Sequence, residues 1–136
     1  MEINNVSYIL LLNVEKACSI NVGSLGLVNI LDGYYIYVGS ARKGVFNRLA
    51  RHFSKIKKLR WHIDYLTSNE YVNPELALIL INIDEKDIAK VLSSRFDFVK
   101  GFGASDDRLN VSHLFYIGKF ENYSDVLALL FNIFRF

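Results

Sequence analysis

The residues best suited to chemistry lie on a predicted helix in the first half of the chain. An apolar stripe recurs there at spacings of four, four and three residues, which is typical of one face of an amphipathic helix; its members are Val45, Leu49, Phe53 and Ile56. A polar stripe is expected on the opposite face, made of Arg48, Arg51, His52 and Lys55. Arginine donates bidentately to phosphate oxygens and does not lose its proton, so this face predicts a phosphate-binding site.

Tyrosine hydroxyls are expected close to the same point. Residues 34–39 (YYIYVG) are aromatic and β-branched, which predicts a strand directly before the helix. Tyr35 and Tyr37 lie two residues apart, so both hydroxyls should emerge on one face together with Gly39, which leaves open backbone at the strand end. A tyrosine at the strand end and the Arg-His pair of the helix can therefore converge on one phosphate.

The charge of the chain is concentrated in the same region. The net charge is only +2, but eight of the sixteen Lys and Arg fall within residues 42–60, and residues 33–63 contain no Asp or Glu. The remainder has eight basic against fourteen acidic residues, a balance of −6. Such a directed field attracts polyanions, although a solvated basic helix is the plainer interpretation. We expect nucleic-acid contacts from Arg42, Lys43, Arg51, Lys55, Lys57, Lys58, Arg60 and His62.

The remaining patterns predict the elements that must position these residues. Strands are expected over residues 6–14, 34–39 and 112–118, a hairpin over 19–31, and a central strand buried on both faces over 76–83. Helices are expected over 61–68, after the cap Asp84, and over 126–136 after the cap Ser124. Together they predict a small α+β domain with a mixed or antiparallel central sheet flanked by helices.

Length and composition bound the class of protein. The 136 residues, 51% hydrophobic and 22% charged, are typical of a single folded domain, with its core over about residues 6–118 and a C-terminal helix over 121–136. The single cysteine forms no internal disulfide, which suits a reducing compartment. No apolar run approaches the ~20 residues that a bilayer requires, and the N-terminus lacks a secretory pattern. A cytoplasmic protein that does not enter membranes is expected.

Five collinear stretches resemble one protein family. They are GYYIYVGSA, RLARHF, RWHIDYL, GFGASD and SHLFYIG, and the resemblance as a whole runs in order from about residue 6 to residue 118. The segment YVGSARKGVFNRLARHF is similar to the signature of the GIY-YIG nuclease superfamily. The whole set resembles its poorly characterised branch that occurs alone or fused to DNA-repair enzymes. Val6 and the cysteine-free loop GFGASDDRLN depart from the pattern of that branch.

The resemblance implies roles for individual residues. Tyr8 and Tyr37 would be the two tyrosines of the signature, with Tyr37 activating or orienting the attacking water. Arg48 would stabilise charge on the phosphate, and His52 would assist proton transfer or binding. Glu85 would hold a divalent metal, Mg²⁺ or Mn²⁺, and a single carboxylate suits a hard ion that keeps several waters.

Two interpretations of the carboxylate stay open. Asp84, Glu85 and Asp87 stand where acids favour any helix N-terminus through its dipole, so they need not bind metal. Asp87 is the reserve candidate ligand, and Glu75, next to the only proline, is a weaker one.

Structural roles are expected for several neighbouring residues. Tyr35 is interpreted as a sheet aromatic, Trp61 as a core residue, Asp64 as a structural hydrogen-bond partner, His113 as a core histidine, and Asp106 and Asp107 as turn formers.

Three functions follow as hypotheses. The first is a metal-dependent endonuclease that hydrolyses DNA phosphodiester bonds in repair or processing and selects DNA structure rather than sequence. The second is a non-catalytic module of the same fold that binds DNA or RNA. The third is an accessory subunit whose C-terminal helix contacts a repair enzyme or a second copy of the chain.

Overall fold

The computed structural model describes residues 2–41, 44–104, 107 and 110–135, and these form an α+β fold. Its strands are β1 (Val6–Val14), β2 (Cys18–Asn21), β3 (Leu27–Ile30), β4 (Gly33–Ser40), β5 (Val72–Ile81), β6 (Asp97–Phe98) and β7 (Leu114–Gly118). Its helices are α1 (Val45–Phe53), α2 (His62–Thr67), α3 (Glu85–Ser93) and α4 (Tyr123–Phe134). The predicted class, a small antiparallel sheet flanked by helices, is confirmed.

The central sheet has the strand order β5-β1-β4-β7-β6, and every pairing is antiparallel. Strands β2 and β3 form a separate hairpin around a 3₁₀ turn at Gly23–Leu25. In the pairing of β1 with β4, Tyr8 lies directly opposite Gly39. This register matters for the site because it brings the two tyrosine-bearing strands together.

Strand β5 corrects one expectation. Its apolar run predicted a central strand buried on both faces, but β5 pairs with β1 alone among the described strands and forms one edge of the sheet. Ile79 and Ile81 are 37% and 44% exposed, whereas the neighbouring strand β1 has buried side chains on both faces. A continuous apolar run indicates burial, but it does not tell how many neighbours a strand has.

The alternation of β1 divides the core into two halves. Tyr8, Leu10 and Leu12 face a cluster with the β2–β3 hairpin, α1 and α2. Ile9 and Leu11 face a cluster with α3 and α4. Helix α4 therefore packs its own Val126 and Leu130 against the sheet, and docking of this helix on another protein remains a prediction.

The helices differ from their predicted patterns at particular residues. Helix α1 ends at Phe53, so Ile56 lies beyond it and is 93% exposed, whereas His52, expected on the polar face, is 1% exposed. The predicted cap Asp84 is confirmed, since its side chain accepts from Lys86 N. Helix α4 is capped by Asn122 rather than by the predicted Ser124, whose backbone N donates to the Asn122 side chain.

Candidate functional site

A cavity of about 640 Å³ opens where β4 ends, beside α1 and the starts of α2 and α3. The glycine loop after β6 closes its far side through Gly103. Residues that the sequence assigned to function line it from four separate elements: Tyr37, Arg48, Arg60, His62 and Glu85. The fold thus gathers residues that are spread over 49 positions of the chain, from Tyr37 to Glu85, counted inclusively.

Gly39 forms the part of the cavity wall that separates it from Tyr8. The Tyr8 ring crosses this glycine so closely that a Cβ added at Gly39 would lie 2.3 Å from the hydroxyl oxygen. Tyr8 is only 1% exposed and is not among the described residues that line the cavity. Gly39 is therefore required by the close approach of the ring, and Tyr8 lies behind the wall rather than in the cavity.

Tyr8 and His52 form a buried pair. The Tyr8 hydroxyl oxygen lies 2.6 Å from His52 Nε2, and the two ring centroids are 5.4 Å apart. Burial, together with the nearby charge of Lys57, lowers the pKa of His52 to about 4, so the ring is neutral at neutral pH. Its Nδ1 is buried and has no hydrogen-bond partner among the described residues. His52 is therefore suited to holding Tyr8 in place rather than to binding phosphate as a cation.

Tyr37 presents its side chain to the cavity from the same face of β4 that packs on Tyr8. Burial raises the pKa of its phenol, and the nearby charge of Glu85 raises it further, so Tyr37 is protonated at neutral pH. Gly103 packs against the ring, since a Cβ there would lie 3.1 Å from Tyr37 Cε1, and its φ of +65° also favours glycine. The glycine loop therefore packs on the Tyr37 ring and holds it in place.

Arg48 reaches the cavity from α1. Its Nη1 donates to the backbone oxygen of Ser40, and its guanidinium lies 4.8 Å from the ring centroid of Trp61. A carbonyl on one side and an aromatic ring on another restrict the guanidinium to one position. It is a preorganised donor of the kind that stabilises phosphate charge.

Glu85 enters the cavity at the first turn of α3. Burial raises the pKa of its carboxyl above the usual range, because the charged form loses hydration. Asp87 is exposed and does not line the cavity, and Glu75 accepts from the Tyr34 hydroxyl on the far face of the sheet. Of the three candidate ligands, Glu85 is the one that faces the cavity.

His113 and Asp107 join this carboxylate, although the sequence predicted structural roles for both. His113 Nε2 lies 2.8 Å from Asp107 Oδ2, and Nδ1 lies 3.6 Å from Glu85 Oε2. Asp107 also accepts a hydrogen bond from Asn110 N, whereas Asp106, the other predicted turn former, lies outside the described residues. The predicted core position of His113 is confirmed, since the residue is 3% exposed and its Nδ1 also lies 3.2 Å from Val38 O; it lies just before the last strand, which begins at Leu114, and it also lines the cavity.

Several predicted nucleic-acid contacts are engaged within the protein. Lys55 Nζ donates to the backbone oxygens of Asn69 and Val72. Lys57 Nζ donates to the Thr67 hydroxyl at 2.6 Å, and burial lowers its pKa to about 8. Lys58 is exposed away from the cavity wall, while Arg42 and Lys43 lie outside the described residues.

Arg51 forms an ion pair with the buried Asp64. Its Nη2 lies 2.8 Å from Asp64 Oδ2, which also accepts from the backbone nitrogens of Arg60 and Trp61. Burial opposes ionisation of Asp64, but these hydrogen bonds outweigh it and hold the pKa of the carboxyl below its usual value. The predicted structural role of Asp64 is confirmed, and the position of Arg51 is set by this pair.

Two further residues, at the start of α2, line the cavity. His62 Nδ1 accepts from Gly103 N at 2.9 Å, and burial lowers the pKa of its ring. In the neutral ring this bond leaves the proton on Nε2. Trp61 is 41% exposed and lines the cavity, so the expectation of a core tryptophan is wrong.

The described residues hold neither a preformed metal cluster nor a membrane-spanning helix. They contain no cluster of three or more His, Cys, Asp or Glu side chains arranged to hold a metal ion. Within the same ranges, no helix has the length and apolar character needed to cross a bilayer.

Comparison with known proteins gives one result. No curated protein and no solved structure matches the chain significantly. A family model described as "Domain of unknown function DUF123" matches residues 7–135, nearly the whole sequence. The chain therefore belongs to the family described as Domain of unknown function DUF123.

Proposed function

We propose that the chain is a metal-dependent endonuclease of the GIY-YIG type that hydrolyses DNA phosphodiester bonds in repair or processing. The observation that carries the proposal is the cavity in which Tyr37, Arg48 and Glu85 meet. A phenol, a guanidinium and a carboxylate in one cavity match the needs of phosphoryl transfer, which are positioning and charge stabilisation. The motifs that resemble the superfamily contribute two of these three residues directly.

Arg48 supports the proposal through its charge and its fixed position. Charge accumulates on the non-bridging phosphate oxygens as water attacks, and an arginine in the cavity stabilises it with paired N–H donors. Because the guanidinium is held by Ser40 and Trp61, it needs little reorganisation during the reaction.

Tyr37 acts in this proposal as a neutral phenol. Its raised pKa keeps the proton on the hydroxyl, so it orients the attacking water rather than serving as a phenolate base. The water oxygen bonds to phosphorus and releases one proton to solvent while one ester P–O bond breaks, and the leaving oxygen takes up one proton from solvent. Tyr8 and His52, behind the Gly39 wall, hold the Tyr37 ring, since both pack against it at centroid distances of 6.3 and 6.1 Å.

Glu85 is the residue that would hold the metal. A half-buried carboxylate whose charge is poorly hydrated is stabilised by a cation, and the described residues offer no competing all-protein cage. This donor set fits Mg²⁺ or Mn²⁺, which keep waters and take phosphate oxygens as further ligands. When bound, such an ion supplies Lewis-acid stabilisation of the phosphate charge.

One observation favours the alternative of a binding module without catalysis. The cavity holds a protonated Tyr37 and a neutral His62, neither of which is a strong base at neutral pH. A module of this kind would bind DNA in a salt-dependent manner and leave it intact.

The test is nicking of supercoiled plasmid and of branched DNA at low salt, with Mg²⁺ or Mn²⁺ and with an EDTA control. Arg48→Ala is compared with Arg95→Ala, which removes an exposed arginine outside the cavity. We expect metal-dependent cleavage that is lost in Arg48→Ala and kept in Arg95→Ala. Salt-sensitive binding with no cleavage under any condition would favour the binding module.

A further inference from the structure

Trp61 is an exposed aromatic side chain beside the candidate site. It is 41% exposed and lines the same cavity as Arg48 and Tyr37. Tryptophan is usually well buried, so an open indole in a cavity that also holds Arg48 and Arg60 is a feature of the surface that calls for a ligand.

The position of Trp61 is fixed by its neighbours. Its backbone N donates to the buried Asp64 carboxylate at 2.9 Å, and Asp64 N donates back to Trp61 O at 3.0 Å. The guanidiniums of Arg48 and Arg51 lie 4.8 and 5.1 Å from the ring centroid. Since Arg51 is itself held by Asp64, the ring is preorganised before any ligand arrives.

The charge around the ring identifies the class of ligand. Three cationic side chains line the cavity with Trp61, against the two carboxylates of Glu85 and Asp107; the cationic ones are Arg48, Arg60 and Lys86. Lys58 is exposed two residues before Arg60, and residues 33–63 contain no acid. A nucleobase brings both a flat aromatic face for the indole and a phosphate for the arginines. Proteins that bind single-stranded nucleic acid combine aromatic stacking with a basic groove in this way.

We propose that Trp61 stacks on an unpaired base of DNA next to the phosphate that occupies the cavity. In continuous duplex DNA both faces of each base are covered by neighbouring bases, and exposing one face costs unstacking energy. The substrate class is therefore DNA with an unpaired base at the site, such as a flap, a gap or a single strand. This inference rests on the proposed function for the phosphate in the cavity, but its binding readout does not require cleavage.

The test uses the intrinsic fluorescence of Trp61, which is the single tryptophan of the chain. The wild type is titrated at low salt with a single-stranded oligonucleotide, with its duplex, and with an abasic oligonucleotide of equal length. We expect strong quenching by the single strand and little by the abasic strand, which carries the same phosphates without bases. Equal signals from all of them, or no quenching by the single strand, would overturn the inference.

Variants separate stacking from fold. Trp61→Ala should weaken single-strand affinity by about fivefold or more, whereas Trp61→Phe should keep it within about threefold, because phenylalanine still stacks. Phe46→Ala is the control, since it removes another aromatic side chain of this region that is 75% exposed but does not line the cavity. A Trp61→Phe variant as weak as a folded Trp61→Ala variant, or an equal loss in Phe46→Ala, would contradict stacking.

The two proposals fail in distinguishable ways. Cleavage of flapped and duplex DNA at equal rates, unaffected by Trp61→Ala, would leave the nuclease standing and remove the inference. Base-dependent quenching without cleavage in any metal would keep the inference and remove the nuclease.

Discussion

The hydroxyl of Tyr8 lies 2.6 Å from Nε2 of His52, in a pair that joins the first strand to the first helix across 44 positions of the chain. Both side chains are 1% exposed. The pair stands behind Gly39 and packs against Tyr37, so it connects the packing of the core to a tyrosine that faces the cavity.

Burial of a neutral His52 predicts a pH-dependent stability. Its pKa falls from 6.5 in the unfolded chain to about 4 in the folded one, so the unfolded state binds the extra proton first. The contribution of His52 to the free energy of unfolding is therefore complete above pH 6.5 and is lost as the pH falls towards 4, by roughly 3 kcal/mol in total. Urea denaturation of wild type and His52→Gln at about pH 7.5 and about pH 4.5 measures it.

The difference between the two proteins isolates this histidine from the other titrating groups. The wild type should lose about 2 to 3 kcal/mol more than His52→Gln between the two pH values. Equal losses in both proteins would contradict the buried neutral histidine.

The close approach of Tyr8 to Gly39 predicts a steric effect that depends on the ring. Gly39→Ala should lower the free energy of unfolding by at least about 1–3 kcal/mol, because the new Cβ would lie 2.3 Å from Tyr8 atoms and the ring must move. In a Tyr8→Leu background the same change should cost clearly less, which a double-mutant cycle by denaturation measures. Strict additivity of the two changes would show that the ring is not the obstacle.

The ion pair of Arg51 and Asp64 predicts a large cost for losing the buried partner. Asp64→Asn should destabilise the protein by roughly 3 kcal/mol, the lower part of the range for buried pairs, because Arg51 keeps 23% side-chain exposure. Lys119→Ala, which breaks the exposed pair with Asp32 at 3.1 Å, should cost less than about 1 kcal/mol. Thermal or urea unfolding measures the loss in free energy of unfolding for each variant. Equal losses in Asp64→Asn and Lys119→Ala would contradict this difference between a buried and an exposed pair.

The place of Glu85 in the cavity predicts which acid would control the metal dependence of the proposed cleavage. Glu85→Gln should raise the Mg²⁺ concentration needed for half-maximal cleavage by at least about tenfold, because even outer partners of metal sites cost that much. Asp87→Asn, in the same helical turn but outside the cavity, should change it little. Equal effects of the two variants would favour the alternative in which these acids act only at the helix start.

Much of the scaffold could be predicted because its signals are local. Strand β1 agrees with its apolar run at both ends, and Asp84 caps α3 as its side chain predicts. The hairpin before β4 follows from glycines between short apolar stretches. These features depend on residues within one or two turns of each other, which a sequence displays directly.

The parts that could not be predicted depend on partners far along the chain. Helical spacing predicts His52 on the polar face of α1, but the residue is buried because its partner, Tyr8, belongs to another element. Trp61 was expected in the core because its hydrophobicity favours burial, whereas two guanidiniums cover part of the ring and leave the rest open. The last strand begins at Leu114, two residues after its predicted start, because alternation alone does not fix a strand boundary.

Removing the Tyr37 hydroxyl from the cavity tests most directly whether the cavity is the reactive site. Tyr37→Phe deletes a hydroxyl in the cavity, and Tyr35→Phe deletes one from the same face of the same strand, where it accepts from Leu31 N away from the cavity. Single-turnover cleavage of flapped DNA with Mg²⁺ gives both rates. The account predicts a fall of about 100-fold or more for Tyr37→Phe and a change within about threefold for Tyr35→Phe. Equal rates for Tyr37→Phe and wild type, in a wild type that cleaves, would place the chemistry elsewhere.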